Sequence, residues 1–342
     1  MNPGTEIRIP DAIIPLLDAW KTEMDHARGI ILSGHTNPDG DSVSSIIALS
    51  EYLEATGKPF LAVGDEAFPA TYSFLRNRRY YSSVDTISGD LSGYDLLVAV
   101  DSGDLERLGK LKDMLPAGIK IINVDHHKVN SRFGQINLVM DNAASIGEIL
   151  YYFFQRTGFP LSLGMAEAIY ISLVSDTGSF KYDSMHPEVH LIAAELLRIG
   201  VVPSEYVVPL YQNRSAGYLD LLQKALFRLQ YHLDGRVAIA ILTFEDLQES
   251  VPDDSEGIIE TIGIVGPVSV YILIKEKQKN FFSASLRSKH QVDVAKIAES
   301  FGGGGHTRAA GCRTDQMGLD AFIEALVGQI ARQTLPPFGL EK

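Results

Sequence analysis

Short uninterrupted apolar runs alternate with amphipathic stretches through the first half of the chain. Ile30-Ile31-Leu32, Leu96-Leu97-Val98-Ala99-Val100 and Ile119-Lys120-Ile121-Ile122-Asn123-Val124 have the pattern of strands buried on both faces, as in a parallel sheet. After the first run, Val43, Ile46, Ile47 and Leu53 recur at helical spacing, with Asp41 or Ser42 placed to cap the helix. Such alternation predicts a doubly wound α/β layer, mostly parallel, with helices on both faces. Further on, Val189, Ile192, Ala193, Leu196 and Leu197 keep a helical period that Gly200 and Pro203 end, and another helix is expected over about 216–229. A second alternating region offers strands over 236–242, 268–274 and 281–286, then a helix over about 292–301 and a run of four glycines. The expected organisation is an α/β domain over 1–188, a helical connector over 189–230 and a smaller C-terminal α/β domain over 231–342.

Composition narrows the class. The 342 residues suffice for two domains, and 45% hydrophobic with 21% charged residues is the mix of an ordinary globular protein. Cys312 is the only cysteine, which excludes a disulfide scaffold and a thiolate zinc site. The opening Met1-Asn2-Pro3-Gly4-Thr5-Glu6 lacks a basic segment leading into an apolar core, and no apolar run approaches the ~20 residues that span a bilayer. A cytoplasmic protein without a membrane partner is expected. The formal charge of −13 argues against coating long nucleic acid, without excluding a local phosphate site.

The chemistry gathers where the apolar runs end. Ligands of doubly wound sheets bind beyond the carboxyl ends of the strands. There the first run leads into His35 and Asp39, the second into Asp101, and the third into Asp125-His126-His127. Asn37, Asp39 and Asp41 alternate as calcium-loop ligands do, but Ser42 and Ala48 stand where that loop needs its glycine and its bidentate glutamate. Carboxylates crowded at one sheet edge repel, and divalent cations relieve the repulsion. Mixed carboxylate and imidazole ligands suit Mn²⁺, and Fe²⁺ or Zn²⁺ less specifically. Asp101-Ser102-Gly103 and Asp176-Thr177-Gly178 also resemble aspartic-protease signatures. That reading needs two related β-rich lobes and leaves the histidines without a role.

Four motifs in order, His35-x-x-x-Asp39-x-Asp41, Asp101-Ser102-Gly103-Asp104, Asp125-His126-His127 with Asn130, and Asp176-Thr177-Gly178, resemble those of the DHH phosphoesterase superfamily. The resemblance implies two bound divalent ions, most often Mn²⁺. It implies that His35, Asp39 and Asp101 hold one ion and that Asp41, Asp101, His126 and Asp176 hold the other, with Asp101 bridging. By the same resemblance His127 faces the substrate phosphate, and Asp125 orients an imidazole. Water activated by the metal pair would attack phosphorus, with no covalent nucleophile.

Gly302-Gly303-Gly304-Gly305-His306-Thr307-Arg308 follows a helix and lacks the Lys-Ser/Thr of a P-loop. Exposed glycine N–H groups next to His306 and Arg308 suit an anionic ligand better than a bare surface loop does. From Tyr271 to Arg313 there are eight basic residues against three acidic ones, a local excess in an acidic chain. Arg287, Ser288, Gly303, Gly304, Gly305, His306 and Arg308 are the candidate substrate contacts. This stretch resembles the DHH-associated C-terminal domain, and the whole layout resembles the bacterial nanoRNase/pAp-phosphatase group. That resemblance implies hydrolysis of very short oligoribonucleotides or linear dinucleotides. Alternatives are 3′-phosphoadenosine 5′-phosphate phosphatase activity, alone or in the same enzyme, and a non-catalytic nucleotide-binding protein. Short oligonucleotides or nucleotides are the expected partners, long nucleic acid is not, and a homodimer is compatible with the sequence.

Overall fold

A computed structural model describes residues 7–213, 215–250, 255, 257–289 and 292–333, without the side chains of 207 and 306. Backbone contacts divide it into two units, 1–212 and 213–342. The first contains α1 (Ile14–His26), β1 (Ile30–Ser33), α2 (Gly40–Ala55), β2 (Phe60–Gly64), β3 (Tyr81–Ser83) and β4 (Leu96–Val100). It continues with α3 (Leu111–Met114), β5 (Lys120–Asp125), β6 (Ile136–Val139), α4 (Ile146–Thr157), α5 (Leu163–Asp176), α6 (Pro187–Ile199) and α7 (Ser204–Tyr211).

All six strands are parallel, in the order β3-β2-β1-β4-β5-β6. The chain order therefore reverses between β1 and β4, the switch point at which open α/β sheets form their ligand crevice. Side chains alternate between two cores, because successive strand residues point to opposite faces. Ile30, Leu32, Val98 and Val100 pack on one side, and Ile31, Leu97 and Ala99 on the other. Burial on both faces is the reason these strands read as unbroken apolar runs. A parallel sheet also removes the two-lobed β architecture that a protease reading requires.

The cap of α2 differs from the sequence expectation. Asp39, not Asp41 or Ser42, is the N-cap: its backbone is extended and its carboxylate accepts from Ser42 N at 3.1 Å. The helix starts at Gly40, so Asp41 already lies inside the first turn and its carboxylate is free for other partners.

The second unit holds α8 (Ala216–Phe227), β7 (Gln230–His232), β8 (Val237–Leu242), α9 (Phe244–Gln248), α10 (Ile258–Ile262), β9 (Val270–Gln278) and β10 (Phe281–Ser288). It ends with α11 (Val294–Glu299), β11 (Gly304–His306), β12 (Ala309–Thr314) and α12 (Leu319–Ala331). Its mixed sheet runs β11-β12-β10-β9-β8-β7, with β8 and β9 parallel and the other neighbours antiparallel. Val237, Ile239 and Ile241 enter one core and Ala238, Ala240 and Leu242 the other. Of the stretch 189–230, Val189, Ile192, Leu196 and Tyr206 join the first unit's core, whereas Leu221 and Ala225 join the second's. Among the described residues, no helix is long and apolar enough to cross a membrane.

Part of the glycine run is a strand and not an open loop. Gly304, Gly305 and His306 pair with Gly311, Ala310 and Ala309 of β12. A Cβ at Gly303 would lie 2.1 Å from Gly311 O, so close backbone approach requires glycine there irrespective of any ligand.

Candidate metal centre

Three neighbouring strands supply most of the cluster. His35 lies two residues beyond β1, Asp101 directly follows β4, and Asp125 ends β5 ahead of His126 and His127. Two helices add the remainder: Asp39 and Asp41 sit at the start of α2 and Asp176 at the end of α5. Gly40 permits this meeting, since a Cβ on it would lie 2.6 Å from Ser175 Oγ on α5. Thr177 closes α5 by donating to Leu173 O at 2.6 Å and accepting from Phe180 N at 2.8 Å.

Ligand atoms of His35, Asp39 and Asp101 lie within 4.8 Å of one another, as do those of Asp41, His126 and Asp176, and those of Asp101, His126 and His127. His126 is common to the second and third of these groups, and Asp101 to the first and third. The Asp101 backbone takes the left-handed φ of 56°, uncommon for a residue with a side chain and often found at functional sites. Oδ2 is 3.2 Å from His35 Nε2, and Oδ1 is 3.6 Å from both His126 Nε2 and His127 Nδ1. His126 Nε2 is also 3.0 Å from Asp176 Oδ2 and 3.6 Å from Asp41 Oδ2.

Each imidazole is oriented from behind. His35 Nδ1 donates to Thr36 O at 2.7 Å and His126 Nδ1 to Ala143 O at 3.3 Å, which turns both Nε2 atoms toward the carboxylates. His127 Nδ1 donates to Asp125 Oδ1 at 2.7 Å, while Asn130 donates to Asp125 Oδ2 at 2.6 Å. Asp41 is fully buried. It accepts from Ser172 Oγ at 2.6 Å and Ile146 N at 2.8 Å.

The charge arrangement fits divalent cations. Burial, then Asp101 and Asp176, push the Asp41 carboxyl well above the usual range. Burial raises Asp101 as well, but the neighbouring His126 and His35 imidazoles outweigh it and hold that carboxyl well below the usual range. Burial disfavours charge on His35, yet Asp101 and Asp39 raise it to about 9. Crowding thus favours protons on Asp41 and His35 in the absence of a cation. Asp101 Oδ2 and His126 Nε2 are buried with no hydrogen-bond partner among the described residues. Buried polar atoms left in this way, on residues of the proper donor types, are what a metal pair would satisfy.

Comparison with known proteins agrees with this architecture. The profile of the DHH family, N-terminal domain, matches residues 29–173, and that of the DHHA1 domain matches 245–332. A Thermus thermophilus protein named bifunctional oligoribonuclease and PAP phosphatase NrnA is 31% identical over 305 residues, covering 89% of this chain and 90% of the relative. The chain belongs to the DHH family. A Bacillus subtilis protein of the same name is 26% identical, over 82% of this chain and 88% of its own. The DHH fold is also shared with a crystal structure of an exopolyphosphatase-related protein from Bacteroides fragilis, at 24% identity and a TM-score of 0.85, covering 93% of this chain and 97% of that one. The N-terminal DHH profile stops at residue 173, short of Asp176, which the end of α5 brings to the cluster.

All six expected metal ligands, His35, Asp39, Asp41, Asp101, His126 and Asp176, converge, with His127 and Asp125 beside them. In the second unit, Arg287 Nε lies 3.8 Å from Glu260 Oε1. Ser288 is buried, and its hydroxyl donates to Val292 O at 2.6 Å. The His306 side chain lies outside the described residues. Sequence reasoning missed Ser172 and the Ala143 carbonyl, which lie in no local motif. It also missed Glu148, although Ser145-x-x-Glu148 has the spacing of a helix capping box.

Proposed function

We propose that this DHH-family chain is a two-metal phosphoesterase that hydrolyses very short oligoribonucleotides or linear dinucleotides to mononucleotides. The observation that carries the reading is the cluster of acids and imidazoles in which Asp101 faces both His35 and His126, in a chain that covers most of the length of relatives named oligoribonuclease and PAP phosphatase. His35, Asp39 and Asp101 would hold one ion; Asp41, Asp101, His126 and Asp176 would hold the other. The donor set favours Mn²⁺. When bound, such a pair supplies Lewis acidity, making a water acidic enough to ionise near neutral pH and offsetting charge on phosphoryl oxygens.

The remaining roles belong to protein groups. Asp125 keeps the proton of His127 on Nδ1, which leaves Nε2 as the ring atom that meets the substrate. Carrying a second proton there, the ring would donate it to a phosphoryl oxygen or hand it to the leaving oxygen. Asn130 holds Asp125 in place from the far side. Substrate binding is assigned to the second unit, through Arg287, Arg308, His306 and the backbone around Gly303, Gly304 and Gly305. Ser288 is left out of this group because its hydroxyl already has a structural partner.

A length series tests the reading. Labelled RNAs from a dinucleotide to a long strand are incubated with full-length protein, with Mn²⁺ and with a chelator. Cleavage confined to the shortest substrates and lost in chelator is the expected result. Equal activity in chelator, or a preference for long RNA, would overturn it. A second reading, hydrolysis of 3′-phosphoadenosine 5′-phosphate, is favoured by the double name of the relatives. Comparing kcat/KM for that compound and a dinucleotide decides whether one centre serves both. A non-catalytic role is disfavoured by the convergence of the six candidate ligands.

A further inference from the structure

Behind the metal cluster lies a second set of titratable groups that the proposed chemistry does not use. Glu148, on the first turn of α4, is fully buried. Its Oε2 accepts from Ala144 N at 2.7 Å and its Oε1 from Tyr152 OH at 2.9 Å. His186, the residue before α6, completes the set: Nε2 donates to Glu148 Oε2 at 3.2 Å and Nδ1 to Glu188 Oε2 at 3.0 Å. With both ring nitrogens donating to carboxylates, the ring is an imidazolium.

The Ala144 N–H that Glu148 holds belongs to the same peptide group as the Ala143 carbonyl, and that carbonyl receives the His126 Nδ1 proton. A peptide group is a rigid plane, so fixing its N–H fixes the direction of its C=O. Two residues on, Ile146 N donates to Asp41 Oδ2. One short segment therefore orients two members of a single ligand set from behind. Glu148 anchors that segment. It departs from an ordinary capping box: the carboxylate reaches Ala144 N, and Ser145 makes no side-chain cap but pairs instead with Ser172 Oγ at 2.8 Å.

We propose that Glu148, charge-paired with His186, is a positioning residue for the metal ion held by Asp41, His126 and Asp176, acting through the Ala143–Ala144 peptide. The inference rests on the two-metal reading above. Removing one partner of a buried ion pair also costs stability, so orientation is read from Mn²⁺ affinity beside the melting temperature. Glu148→Gln, with its amide oxygen in the place of Oε2, keeps the acceptor for Ala144 N and His186 Nε2. It turns its amide N–H donors toward Tyr152 OH and removes the charge that pairs with His186. His186→Gln alters the pair from its half-buried end and leaves the helix interior untouched.

The test is calorimetric titration of chelator-stripped, full-length protein with Mn²⁺, together with its melting temperature. Wild type is expected to take up two ions. In Glu148→Gln and His186→Gln, one of the two affinities should fall about 10–100-fold, the range seen when groups behind a metal ligand are altered, while the other stays as in wild type. With dinucleotide as substrate, kcat should fall and KM should hold. A lower melting temperature with both Mn²⁺ affinities unchanged would make the pair merely structural and overturn the inference. Wild type that takes up no divalent ion would instead overturn the two-metal reading itself. If Glu148→Gln does not fold, His186→Gln, whose side chain is 29% exposed, decides the matter alone.

Discussion

At Asp101 one carboxylate faces His35 through Oδ2 and His126 through Oδ1, so its loss disturbs both ligand sets together. Asp101→Ala is expected to abolish uptake of both ions, and retention of either one in a Mn²⁺ titration would contradict the shared role. His127 differs, because its Nδ1 is held by Asp125 and it is proposed to meet the substrate. His127→Ala should lower kcat by about 10²–10⁴-fold, the usual range for a general acid or base, with Mn²⁺ stoichiometry intact. His186 permits a pH prediction. The hydrogen bond to Glu148 raises its imidazole from the ordinary 6.5 to about 9, against an opposing push from burial. The folded chain thus holds a proton that the unfolded chain lacks between these values. Its stabilising contribution is complete below about 6.5 and lost as pH rises through about 9. Melts from pH 6 to 10 should show wild type above His186→Gln at the acid end and the two converging at the alkaline end.

Elements place these residues, and their caps and crossings can be tested apart from the chemistry. Asp39 both caps α2 and points at the cluster, whereas the sequence pattern gave the cap to Asp41 or Ser42. Asn is as good a cap as Asp, so Asp39→Asn should keep the melting temperature of chelator-stripped protein while weakening Mn²⁺ binding. Asp39→Ala should also lose about 1 kcal/mol of stability, typical of a removed N-cap. Where α2 meets α5, Gly40→Ala forces a methyl against Ser175 and should destabilise the protein by about 1–3 kcal/mol, read by denaturant unfolding. Because that contact also brings Asp41 to Asp176, the same variant should weaken Mn²⁺ binding without changing any ligand.

At the scale of the whole molecule, the apolar clusters fall within one unit or the other: two contain only first-unit residues and two only second-unit residues. All the grouped metal-ligand candidates among the described residues belong to the first. Metal removal should therefore lower the unfolding temperature of the first unit alone. Scanning calorimetry with and without chelator should show one transition move and the other stay; two transitions shifting together would contradict this.

The apolar runs determined the parallel strands, because a strand buried on both faces has no polar alternation to disguise it. They also determined where the chemistry lies, since each run ends in an acid or an imidazole. The motifs that carry the family resemblance are short and contiguous for the same reason: each is one strand end or helix end. Other features were decided only by the folded chain. Ser172 holds Asp41 from 131 positions away, and Glu148 acts on His126 through a peptide that neither residue contains. Asp176 reaches the cluster because α5 packs against α2, a meeting that no local spacing encodes. The glycine run became an edge strand because Gly303 must pass within contact of Gly311. Local periodicity reports which face of an element is buried. It does not report which element covers that face, and the pairings behind the metal ligands depend on that second fact.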